Sequence, residues 1–166
     1  MRDTRINELA HLLVNHSTTL KKGEHILIES FDIPEEMTIA VIEEARKVGA
    51  HPHVALRNGK VNRALVDGAE STQLDTWADC DLHRMTKMDA YLGIRGSDNV
   101  SEMAAVPDEA IKEYGRQYGK PVHHQERVNN TKWCVLRWPS PSMAQLAQMS
   151  TPEFEDFYFR AKSSIL

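Results

Sequence analysis

Between Gly23 and Pro34 the chain reads EHILIESFDI, a short, apolar, β-branched run with a turn signal on each side. No other feature restricts the fold as much, because a run of this kind suits a strand buried on both faces of a parallel sheet. The next segment, Pro34 to Val48, has helical spacing. It puts Met37, Ile39, Ala40, Val41 and Ala45 inside, with Glu35, Glu36, Glu43 and Glu44 outside or near the positive end. Pro34 opens this helix and Gly49 stops it. His51 to Leu56 (HPHVAL) then reads as a second strand, so strand, helix and strand make one right-handed crossover unit.

The same alternation continues in both directions. Upstream, Asp3 or Thr4 caps a helix to about His16, with Ile6, Leu9, Leu12, Leu13 and His16 on one broad stripe, and Lys22-Gly23 ends it. Downstream, Val61 to Val66 is a short helix, and Ser71 caps a longer one carrying Leu74, Trp77, Ala78 and Leu82. Asp89 to Ile94 (DAYLGI) is the third strand and Trp133 to Leu136 (WCVL) the fourth. A helix opening at Pro107-Asp108-Glu109 runs between them towards His123, with breaks expected at Gly115, Gly119 and Pro121. Pro141 opens a short helix to Met149, and Ser150-Thr151-Pro152-Glu153 is a capping box. The box starts a helix with Phe154, Phe157 and Tyr158 on an aromatic face, which Leu166 cuts off with no cap, Gly or Pro. This pattern predicts one α/β domain over residues 1–166. Its expected form is three-layered, with a mainly parallel sheet of about four strands, helices on both faces and a flavodoxin-like outline.

Bulk properties narrow the function. A formal net charge of −4 gives nucleic acid and anionic lipid nothing to bind, since those partners need clustered Lys and Arg. No apolar run is long enough to span a bilayer. The charged opening MRDTRINELAHL lacks the apolar stretch of a secretory signal, so Cys80 and Cys134 are expected as reduced thiols in the cytoplasm, in or near the core.

Candidate chemistry is sparse. There is no HExxH helix, and the two cysteines are too far apart for a zinc ribbon. His51 and His53 share one face of a strand but sit at its amino end, away from the carboxyl ends where α/β sheets gather ligands. His123, His124 and Glu126 read as a solvated turn, because adjacent residues cannot both aim at one ion from a regular helix. The first strand leads into FDIPEE where a dinucleotide fold needs GxGxxG, and no GxSxG elbow occurs. The most ligand-like segment is Arg95-Gly96-Ser97-Asp98-Asn99, directly after the third strand, although Ser and Asp also serve as ordinary caps there. Arg95, Ser97 and Asn99 are therefore the substrate-cleft candidates, and no residue is assigned a catalytic or metal-binding role.

One set of landmarks is specific in its order. Arg5-Ile6, Leu9-Ala10, Leu12 to Val14 and Leu20-Lys21-Lys22-Gly23-Glu24 lead into HILIES. Glu44-Ala45, Gly49-Ala50-His51-Pro52, the GSDN of Gly96 to Asn99 and RWPSPSMAQLAQMS follow. Together they resemble the amino-terminal part of the bacterial aminopeptidases T, S and II, the thermophilic metalloprotease family. One mild departure is Trp138-Pro139-Ser140, where the family often shows Tyr-Pro-Thr.

The resemblance implies a two-domain enzyme that releases amino-terminal residues from peptides with two divalent ions (zinc, cobalt or manganese), which in such sites lie about 3.5–4 Å apart. It places their ligands in a carboxy-terminal domain, absent from this sequence, and leaves this domain to frame the cleft or support a dimer. Exposed apolar surface left by the missing domain predicts a homo-oligomer. The competing expectation is a freestanding, non-catalytic binding or scaffolding domain on the same fold.

Overall fold

The computed structural model describes residues 3–163. Its centre is a four-stranded sheet of β1 (His25–Phe31), β2 (His51–Arg57), β3 (Ala90–Arg95) and β4 (Lys132–Arg137). All pairings are parallel and the spatial order is β2-β1-β3-β4, a doubly wound arrangement with the predicted flavodoxin-like outline. The order reverses between β1 and β3, so the chain leaves their carboxyl ends in opposite directions and opens a crevice there.

Alternation along each strand feeds two cores. Ile26 and Ile28 of β1 and Leu92 and Ile94 of β3 face one layer, formed by α1 (Thr4–Leu12), α2 (Glu35–Lys47) and α8 (Thr151–Ser163). Leu27 and Tyr91 face the other, where Ala78 and Met85 of α4 (Ser71–Met85) meet Tyr118 and Val122. Smaller helices complete the fold: α3 (Gly59–Val66), α5 (Asp108–Tyr114), α6 (Val128–Asn130) and α7 (Pro141–Leu146). As expected, Asp3 caps α1, its Oδ1 accepting from Arg5 N at 2.9 Å, and Ser150 and Glu153 form the reciprocal box before α8.

Several expectations need correction. The first helix does not run evenly to His16, because its winding widens to a π-helix over Leu13–Ser17, closed where Thr18 Oγ1 donates to Leu13 O at 3.0 Å. The helix after Pro107 does not break. It continues from α5 as a π-helix over Gly115–Arg127, and the wider turn accommodates Pro121, whose ring an α-turn would drive against the carbonyl four residues back. On α2, Ile39 is 41% exposed while Thr38 and Glu44 are buried. This stripe is rotated because α2 packs against α1 as well as the sheet: Glu44 accepts from Asn15 Nδ2 at 3.0 Å and lies 2.9 Å from His11 Nδ1. Phe157 is 55% exposed, and Phe159 takes its place by packing edge-on to Trp138 at 6.0 Å. The cap of α4 is Glu70, not Ser71. Cys80 is exposed and only Cys134 is partly buried. The expected uncapped end at Leu166 lies outside the described residues.

Candidate functional site

At the switch point the loops after β1 and β3 touch. Gly96 N donates to Phe31 O at 2.7 Å, and a side-chain carbon on Gly96 would meet Asp32 O at 2.3 Å, so only glycine lets the backbones approach this closely. Asp32 itself has a left-handed φ of 45°, and its carboxylate accepts from Asn58 Nδ2 and Gly59 N, each at 2.7 Å. This ties the loop after β2 to the same corner.

The structure brings all three cleft candidates to this crevice. Arg95, Ser97 and Asn99 line a cavity of about 220 Å³ together with Phe31, Asn62 and Arg137. Their roles differ. Ser97 Oγ donates to Asn99 O at 2.7 Å and Asn99 Oδ1 accepts from Ser101 N at 3.0 Å, so both side chains are engaged in shaping their own turn. The guanidinium of Arg95 lies 5.2 Å over the Phe31 ring, and its Nε is buried with no hydrogen-bond partner among the described residues.

Below the crevice, on the α4 side of the sheet, is a buried polar network. Glu29 is 1% exposed; it accepts from Tyr91 Oη at 2.5 Å and from Arg57 Nε at 3.0 Å. Arg57 Nη2 also reaches Asp81 at 2.6 Å, and Asp81 accepts from Tyr118 Oη at 2.6 Å and Trp77 Nε1 at 3.0 Å. Burial alone raises the Asp81 carboxyl, yet the Tyr118 hydroxyl and the Arg57 and Arg84 guanidinium groups hold it below its ordinary value. Burial and the adjoining Glu29 push the Tyr91 hydroxyl up, keeping it a donor. His123 packs edge-on to Tyr91 and Tyr118 and is not in a solvated turn; burial pushes its imidazole down to about 4.

The histidines at the opposite end of the sheet form a cluster that the His51–His53 spacing only half reveals. His25 joins them, its Nδ1 2.9 Å from His53 Nε2 and its ring 4.9 Å from that of His51. Among the described residues no group of three or more His, Cys, Asp or Glu side chains is arranged to hold a metal ion. The described residues therefore do not fit the pair of ions implied by the resemblance.

Sequence reasoning also missed Arg137, which needs the β3–β4 register to bring it beside Arg95. It missed the partners of Glu29 as well, although an acid in the middle of an apolar strand was the available signal.

The fold and crevice define an α/β domain that presents a ligand-sized cavity at the carboxyl edge of its sheet. The family model for thermophilic metalloprotease (M29) matches residues 2–164, and the chain belongs to that family. Among solved structures it is similar to wild-type AmpT from Thermus thermophilus, with a TM-score of 0.72 and 16% identity. That likeness covers 95% of this chain and 42% of AmpT, so the chain spans less than half the length of the solved relative. No curated protein sequence matches.

Proposed function

We propose that this chain is the amino-terminal domain of a metal-dependent aminopeptidase, framing the substrate cleft or its dimer and not catalytic alone. Family membership over nearly the whole chain carries this reading. The divalent ions, zinc, cobalt or manganese, are supplied by a further domain, and the substrate is a peptide. The crevice loop of Arg95 to Asn99 faces the cavity of the complete enzyme, where a folded wall helps exclude water from the reacting centre. The cytoplasm is the expected compartment; among the described residues no helix is long and apolar enough to cross a membrane. Outward apolar side chains on the two outer strands, with Leu56 74% exposed, favour a homo-oligomer.

The test is hydrolysis of an aminoacyl chromogenic substrate by the purified 166-residue chain with cobalt, zinc or manganese, with bound metal assayed alongside. No turnover and no stoichiometric metal are expected. Metal-dependent turnover would sink the non-catalytic assignment, and a reading frame that stops at Leu166 would favour a freestanding binding domain instead.

A further inference from the structure

We propose that the cavity between Arg95 and Arg137 binds the terminal carboxylate of a short peptide. The inference deepens the aminopeptidase reading and rests on it for the peptide class; the carboxylate itself is argued from the side chains.

Arg95 and Arg137 are register partners at the last positions of β3 and β4, so their side chains leave the same face of the sheet side by side. Both line the cavity. Neither guanidinium makes a hydrogen bond or ion pair among the described residues, whereas Arg5, Arg57, Arg63, Arg84 and Arg116 all pair with acids. Arg137 is exposed, whereas Arg95 Nε is buried without a partner, which is costly. Nearby, on the same face, Arg127 is 7% exposed, stacked 5.0 Å from Tyr91 and 4.6 Å from Trp133, with Nε and Nη1 unpartnered. Its charge and that of Arg95 oppose each other, while the anion on this face, Glu29, is already engaged by Arg57 and Tyr91.

The cavity's two acids offset only part of the charge of Arg95 and Arg137, since Glu102 is already ion-paired. Asp32 is occupied by Asn58 and Gly59, and Glu102 by Arg63 at 3.1 Å. They do set an upper limit on the charge accepted, favouring a monoanionic carboxylate over a dianionic phosphate. Two planar forks on adjacent strands suit the two oxygens of a carboxylate, and the Phe31 ring, 5.2 Å from the Arg95 guanidinium, supports that fork. About 220 Å³ holds only the last residue or two of a peptide. Gripping that end would make the domain a ruler for peptide length.

The experiment is a chemical-shift titration of the 166-residue chain with triglycine, triglycine amide and the amidated peptide Gly-Glu-Gly. Triglycine should bind about tenfold or more tighter than its amide, the range expected of charge-assisted hydrogen bonds. Arg137→Gln, at an exposed side chain, should abolish that ratio by weakening triglycine binding; Arg95→Gln serves as the second variant. Equal binding of acid and amide by the unmodified chain overturns the proposal, as does a ratio that survives both substitutions. Amidated Gly-Glu-Gly binding as tightly as triglycine would reassign the cavity to a side-chain carboxylate, such as one from another polypeptide segment, and defeat the claim for a peptide terminus. Because this titration reads binding and the chromogenic assay reads turnover, either reading can fail while the other stands.

Discussion

Glu29 offers the sharpest separation between charge and shape. Replacing it with Met fills the site but strips the acceptor from Arg57 Nε and from Tyr91 Oη, both bonded to it in the folded protein. Breaking a buried pair by removing one partner costs roughly 3–5 kcal/mol. Asp81 still holds Arg57 through Nη2, which places the expectation near the lower end, about 3 kcal/mol. Glu29→Gln is different. Its carbonyl can accept from Arg57 while its amide donates to a rotated Tyr91 hydroxyl, so only charge assistance is lost, about 1–2 kcal/mol. With a urea slope of about 2 kcal/mol/M, the midpoint should fall by about 1.5 M for Met and by less than about 1 M for Gln. Urea unfolding followed by circular dichroism reads both, with the slope checked for constancy. The reasoning is refuted if Glu29→Met is as stable as the unmodified chain, or more stable than Glu29→Gln.

Two further outcomes follow from the same face and its crevice. His123, depressed to about 4 by burial, is neutral in the folded chain at pH 7, so the stability it contributes is full above the unfolded value near 6.5. That contribution is lost as pH falls through about 4, an effect of at most ~3 kcal/mol; His123→Phe should flatten the slope of urea stability between pH 6.5 and 4, and an unchanged slope would reject the assignment. Gly96→Ala should cost about 2 kcal/mol or more, since the added carbon would sit 2.3 Å from Asp32 O, and it should weaken triglycine binding by moving the crevice loop. A variant with native melting and native binding would show that the two loops are not tightly apposed.

The strands were legible because their signal is local: HILIES, HPHVAL, DAYLGI and WCVL each carry their own apolar run and boundaries. Parallel order followed from the helices between them. What escaped was non-local. A three-dimensional neighbour decided that Glu44 goes in and Ile39 out, and no single-helix pattern contains α1. The π-winding through Pro121 broke a sound local rule because packing of Tyr118 and Val122 onto α4 holds the helix together. In the crevice the loop was readable as a polar turn after a strand. Its cationic character was not, since Arg95 and Arg137 are 42 residues apart in number and meet only through the register.

The two rims of the sheet are chemically unequal. His51 N donates inward to Glu24 O, so the amides of Pro52, Val54 and Leu56 face outward from β2, and proline removes the first of these donors. On β4, Lys132 N and Trp138 N donate inward to Asp89 O and Arg95 O, which leaves Trp133, Val135 and Arg137 facing outward with every donor intact. A passing strand thus finds every donor along the β4 rim, where the Arg137 carbonyl is already taken by Tyr158 Oη at 2.6 Å, and a missing donor along the β2 rim. For strand addition, whether by another segment of polypeptide or at high concentration, the donors therefore favour the β4 edge over the β2 edge.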